Sequence, residues 1–329
     1  MATASTGRRL DFATFDVFTQ TRLRGNPLAI VKVPKNDDLE QDLKQAIARE
    51  FNFSETVFLH EAEDDSTPDR RIDIFTTTAE LPFAGHPTIG SICCIGESAT
   101  AHTRQAFNVR TKAGTIQSKY DREHGWAVAS IPHNVHIHTS RLTHSRVESL
   151  HPSMETRPQD DLIDLWPCGT NDSFLEFPVV SVVKGMTFIL ITLPDVEHYL
   201  QKLQVGRQMK YAEAIALDEG WSPSFAAPYF YSLLSEDKEH PTRIRSRMIE
   251  PQIGEDPATG SAACTLSSYL ALQSGEGGRT YRFDIAQGIE MGRASEISVE
   301  VTLAESGKAV EKVQLSGTAV KVTEGTLLL

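Results

Sequence analysis

The sequence has no apolar run of the about 18 residues that a membrane-spanning helix requires. Its first residues, MATASTGRRLDF, also lack the apolar core of a secretory signal, so a cytoplasmic protein without a membrane partner is expected. Cysteine is scarce: Cys93, Cys94, Cys168 and Cys264 are too few to staple 329 residues, and their spacing forms neither a C-x-x-C pair nor a zinc pattern. Basic residues are in deficit, 32 Lys and Arg against 44 Asp and Glu, and the resulting net charge of −12 repels a polyanion, which excludes nucleic acid as the default partner. What is present is ordinary globular composition, 40% hydrophobic and 23% charged, at a length that suits two domains.

Strand-like stretches dominate without strict alternation with helices, which indicates an α+β fold rather than a doubly wound sheet. Residues 10–17 and 28–33 read as strands around a Gly25-Asn26-Pro27 turn, and Leu39, Leu43, Ile47 and Phe51 mark an amphipathic helix. Helices are expected near 87–97, 195–203, 207–216 and 257–273, and the last strand over 310–322. The polar stretch 133–171 separates an N-terminal domain, 8–132, from a C-terminal domain, 172–329, and reads as a linker or insertion. Within it, His136 and His138 would share one face of a strand, with His133 close by. No carboxylate or cysteine completes a ligand set at a recognisable spacing, so solvated histidines and no metal are expected.

Shifted by 170 residues, the chain matches itself at Glu80/Glu250, Pro87/Pro257, Gly90/Gly260, Ser91/Ser261 and Cys94/Cys264, five of fifteen positions where chance gives roughly one. The same shift sets His86 opposite Asp256, each one residue before a proline that suits a first helical position. Both helices are free of charge, from Pro87 to Gly96 and from Pro257 to Gly275, and a helix without a charged face is buried all round. Each half is therefore expected to curl a sheet around one central helix. Helix N-termini attract anions, so two of them facing one cleft suit a small carboxylate substrate. On composition alone, Asp256 reads equally as an N-cap and His86 as a core or capping residue.

The segments GNPLAIV (25–31), SETVFL (54–59), RIDIFTTTAELPFAGHPTIGS (71–91), GEDPATGSAA (254–263) and QGIEMGR (287–293) together resemble the PhzF-like isomerase family of phenazine biosynthesis. That family has the diaminopimelate-epimerase-like fold. The resemblance implies two pseudo-symmetric domains, each a barrel-like sheet around a central helix, an active site in the interdomain cleft, a homodimer and no cofactor. It places the catalytic acid/base at Glu55 and polar partners of the substrate at His86 and Asp256. Ser54, Gly85, Gly260 and Ser261 fall where the substrate is bound.

Moving a proton within one conjugated system needs a single carboxylate, provided burial raises its pKa towards neutrality. Phe51, Phe53, Val57 and Phe58 flank Glu55 and would supply an apolar wall. Without the motif, Glu55 reads as a solvated acid at a strand start. Racemases of this fold place two cysteines at the helix starts; here those positions carry none, and Cys93, Cys94 and Cys264 lie about two turns into the helices, where a small buried side chain suits them. The expected activity is a proton shift within a small unsaturated carboxylate, cyclic substrates of the dihydroanthranilate type included. The alternatives are a non-catalytic small-molecule or protein-binding homologue and a racemase or epimerase.

Overall fold

The computed structural model describes residues 7–35, 37–62, 69–98, 104–143, 146–147, 150, 176–204, 211–235, 240–250 and 254–329. They gather into two compact units, one of residues 1–130 with 315–329 and the other of residues 131–314. Among the described residues, no helix is long and apolar enough to cross a membrane.

The first unit opens with an antiparallel hairpin, β1 (Arg9–Val17) and β2 (Asn26–Val33). Gly25 leads into β2 at φ +65°, a left-handed conformation that glycine adopts without steric penalty. Helix α1 (Gln41–Phe51) makes the crossover that a parallel pair requires, and β3 (Thr56–His60) then lies parallel to β2. β4 (Arg70–Phe75) runs antiparallel to β3, and the two-residue β5 (Glu80–Leu81) folds back on β4. After helix α2 (Gly85–Ser98), β6 (Arg104–Thr111) returns parallel to β4, followed antiparallel by β7 (Gly114–Asp121) and β8 (Trp126–Ser130).

The second unit repeats this scheme after one additional strand, β9 (His136–Thr143). β10 (Glu176–Val183) and β11 (Met186–Thr192) form the hairpin, and the short helix α3 (Tyr211–Ala214) lies in the crossover to β12 (Phe225–Ser235), which is parallel to β11. β13 (Thr242–Glu250) is antiparallel to β12, and β14 (Gly254–Asp256) folds back on it. Helix α4 (Gly260–Ser274) then leads to β15 (Thr280–Gln287), parallel to β13, and to β16 (Ser295–Leu303), antiparallel to β15. The pairing order of β10 to β16 matches that of β1 to β7, with the long central helix in the same place, as the sequence echo indicates.

In each unit that helix is the core against which the sheet folds. Every residue of α2 from Gly85 to Gly96 is buried, and the helix touches β1, β2, β3, β6, β7, β8 and a C-terminal strand, β18 (Ala319–Leu328). α4 touches β10, β11, β15 and β16. Glycine permits the close approach in unit 1: a Cβ on Gly90 would stand 2.5 Å from Leu28 Cδ2, and one on Gly96 2.1 Å from Tyr120 Cδ1. Gly96→Ala is therefore expected to destabilise the protein by about 1–3 kcal/mol through overpacking, despite alanine's better helix propensity. A lowered urea midpoint checks this; an unchanged or raised one would show that the Tyr120 ring yields freely.

Several elements differ from the sequence reading. Residues 136–143, expected within a linker, are β9 and pair antiparallel with β10; most of 144–171 lies outside the described residues. The expected strand over 310–322 breaks at Thr318 into β17 (Val310–Gly317) and β18. β18 pairs with β1 from Arg9↔Leu328 to Val17↔Ala319, so residues 315–329, expected in the C-terminal domain, belong to the first unit. The helix expected over 195–203 is a single 3₁₀ turn at Leu200–Lys202, and of 207–216 only Tyr211–Ala214 is described as helix. The central helices start at Gly85 and Gly260, so neither Pro87 nor Pro257 is the first helical residue.

Candidate active site

Glu55 is placed by the way α1 ends. Asn52 adopts the left-handed conformation, φ 53°, and its N–H caps the Ala48 carbonyl, which turns the chain through Phe53 and Ser54 into β3. Alternation along the strand then sets Glu55 and Val57 on one face and Thr56 and Phe58 on the other. Phe58 packs edge-on to Phe75, and both join Leu10, Val31 and Ile47 in the cluster beneath α1 that Phe51 also touches. Of the expected apolar wall, Phe51 and Phe58 are thus committed to that cluster, and Val57, fully buried, shares the face of Glu55.

The Glu55 side chain is 17% exposed, but its Oε2 is shut off from solvent and makes no hydrogen bond among the described residues. Burial pushes its pKa up to about 7, opposed by a hydrogen bond from the Ser54 hydroxyl. His86, the second residue of α2, brings Nε2 to 3.6 Å from that oxygen. Asn26, at the start of β2, directs its amide Nδ2 towards His86 Nδ1 at 3.5 Å, an arrangement that puts the ring proton on Nε2, facing Glu55. Unit 1 therefore brings together Ser54, Glu55, Gly85 and His86, with Asn26 behind them.

Unit 2 brings together Asp256, Gly260 and Ser261 at the start of α4. Asp256 is the last residue of β14; Thr259 is the N-cap, and its hydroxyl donates to Asp256 Oδ2 at 2.6 Å. Gln287, fully buried at the end of β15, ties this turn together. Its Nε2 donates to the Asp256 carbonyl (2.8 Å) and to Thr259 Oγ1 (3.0 Å), and its Oε1 accepts from the Thr259 N–H (3.2 Å) and the Tyr229 hydroxyl (3.1 Å). Every donor and acceptor of the Gln287 amide named here is used, so the carboxylate is held on a defined scaffold. Gly288, at φ +71°, brings the chain so close to the Pro257 carbonyl that a Cβ would lie 2.6 Å from that oxygen. Just before Asp256, Glu255 is gripped by Arg247 through two hydrogen bonds of 2.8 and 2.7 Å.

Sequence reasoning missed Asn26, Arg247, Thr259 and Gln287 as supporting residues. Asn26, Thr259 and Gln287 lie in the quoted GNPLAIV, GEDPATGSAA and QGIEMGR segments. Their polar side chains next to turn glycines were the available signal; Arg247 had none. The cysteines behave as expected: Cys93, Cys94 and Cys264 are buried, and burial pushes the Cys94 thiol up to about 11 and the other two higher still. They are neutral thiols at physiological pH and do not act as bases.

Two repeats of a mixed sheet folded on a buried helix are the diaminopimelate-epimerase-like α+β fold, and the first of them carries a carboxyl group held near neutrality beside an imidazole. The profile of the phenazine biosynthesis-like PhzC-PhzF family matches residues 15–325. The chain is 33% identical over 321 residues to an uncharacterised isomerase of Mesorhizobium japonicum, covering 97% of this chain and 99% of that one. It is 29% identical over 323 residues to the trans-2,3-dihydro-3-hydroxyanthranilate isomerase of Pseudomonas chlororaphis, again covering 97% and 99%. Among solved structures, the PhzF-family phenazine biosynthesis protein of Bacillus anthracis superposes with a TM-score of 0.73 at 20% identity, covering 98% of this chain and all of that one. The chain belongs to the phenazine-biosynthesis PhzF-like isomerase family.

Proposed function

We propose that the protein shifts a proton within a small, cyclic, unsaturated carboxylate, with Glu55 serving in turn as general base and general acid. The observation that carries this reading is the Glu55 carboxyl group, buried and raised to about 7. A group titrating there is a competent base when ionised and a competent acid when protonated, both at useful population near neutral pH. Nε2 of His86, 3.6 Å from Glu55, is the donor that steadies negative charge as the proton leaves carbon. Ser54 binds a polar group of the substrate and the backbone at Gly85 its carboxylate. Asp256, Gly260 and Ser261 keep the substrate-binding role that the family motifs imply. One carboxylate returning the proton it removes needs no cofactor.

The neutral thiols argue against a two-cysteine racemase, and a purely binding homologue would gain nothing from an acid/base group at this pKa. The test is incubation in deuterated water with trans-2,3-dihydro-3-hydroxyanthranilate, the substrate in the name of the Pseudomonas relative, and with simpler unsaturated carboxylates and single-enantiomer amino acids. Deuterium is expected at one carbon of a rearranged, unsaturated acid. Ligand-induced thermal stabilisation without exchange for any compound would favour the binding homologue, and loss of optical rotation in an amino acid the racemase.

A further inference from the structure

We propose that His136, His138 and Asp218 form a binding site for a zinc-class divalent cation that shares no residue with the Glu55 and Asp256 clusters. His136 and His138 project from the same face of β9, and Asp218 comes from the loop before Trp221, so the ligand set is completed by a carboxylate 80 residues away in the chain. One ligand atom from each residue lies within 4.8 Å of the others. His136 Nε2 is 2.7 Å and His138 Nδ1 3.8 Å from Asp218 Oδ2. Donors at zinc bond lengths in a tetrahedron stand about 3.3 Å apart, so both separations reach that value by movements of about half an ångström. Two imidazoles and a carboxylate are a transition-metal donor set rather than one for calcium or magnesium.

Each ligand is held from behind, as metal ligands are. His138, whose side chain is wholly buried, presents Nδ1 to the site while Nε2 meets the Ser181 hydroxyl at 2.9 Å. That hydroxyl is itself tied to Thr187 at 2.7 Å, and Thr187 to Ser224 at 2.8 Å. Asp218 Oδ1 accepts from the Thr139 hydroxyl at 2.6 Å, and the Thr139 N–H is shared between Oδ1 (3.2 Å) and Oδ2 (3.3 Å), with Oδ2 also facing the histidines. The His136 ring lies flat on Trp221, with centroids 4.6 Å apart and an interplanar angle of 13°. His136 and Asp218 remain 34% and 24% exposed, so the site has a path to solvent and room for water to complete the coordination. Binding must displace the proton between His136 and Asp218 and the 3.2 Å hydrogen bond from the Asp218 N–H to His138 Nδ1. That exchange sets the affinity below that of a preformed four-ligand site.

The experiment uses the metal-stripped full-length protein and titrates Co²⁺ and Zn²⁺, following the cobalt absorption bands, bound equivalents by dialysis, and melting temperature. One equivalent is expected to bind and to raise the melting temperature, with affinity falling roughly a hundredfold or more in Asp218→Asn and His136→Gln. Circular dichroism of each metal-free variant checks folding, and His136→Gln, at the more exposed position, carries the test if Asp218→Asn does not fold. The exposed group Asp121, Glu123 and His124 in the other unit supplies the control, since His124→Ala should change nothing. Absence of saturable binding, binding that survives in His136→Gln, or binding lost in His124→Ala would overturn the assignment.

Discussion

Replacing Glu55 by glutamine is expected to cut turnover and solvent-deuterium incorporation by roughly 10²–10⁴-fold, the usual contribution of a positioned acid/base. The same change should leave a folded protein that is more stable than the parent at neutral and alkaline pH. Glu55 titrates at about 7 in the fold against 4.5 when unburied, so the folded state holds its proton more tightly than the unfolded one. Stability associated with this group is therefore complete below about pH 4.5, falls as pH rises through 7, and then levels off. Ionised burial costs about 3 kcal/mol at the plateau, an order-of-magnitude figure from the shift. Glutamine has nearly the same shape and carries no charge, so the stability difference between variant and parent should open between those two pH values. Urea titrations from pH 4 to 8 read this directly, and parallel curves would mean that the carboxyl is not held near neutrality. The parent's turnover should rise through pH 7 as the base form accumulates. Full turnover in the variant would remove Glu55 from the chemistry whatever its pKa.

The elements that were legible in the sequence are those whose signal is local. The β1–β2 hairpin announces itself by its turn, α1 by its apolar stripe, and α2 and α4 by the absence of charge that a helix enclosed by its sheet requires. Glu55, His86 and Asp256 were singled out through motifs; nothing in the composition near Glu55 shows that its Oε2 is shut off from water. What was not legible depends on partners distant in the chain. Residues 310–322 read as one strand because only the pairing of β18 with β1, more than 300 positions apart, divides them at Thr318. His136 and His138 read as solvated because Asp218 lies far along the chain. The matched prolines did not mark helix starts: Gly85 and Gly260 lie 175 apart, where the echo is 170, and Thr259 rather than Asp256 occupies the N-cap position of α4.

Arg247→Met is expected to be the most damaging single change to the second unit, at about 3–5 kcal/mol, because it leaves a buried carboxylate without its counter-charge. The side chains of Arg247 and Glu255 are 5% and 7% exposed, and the guanidinium fork meets both carboxylate oxygens. The third nitrogen, Nη1, donates to the Leu200 and Leu203 carbonyls at 2.9 and 2.7 Å, so Arg247 also fastens the 3₁₀ turn to β13. A buried ion pair adds little compared with apolar residues of similar volume, yet removing one partner is costly, and the double variant separates these effects. Arg247→Met with Glu255→Leu should recover part of the loss, the unrecovered part being the lost Nη1 hydrogen bonds to the Leu200 and Leu203 carbonyls. If the double variant is no more stable than Arg247→Met, the cost lies in those carbonyls and not in the charge.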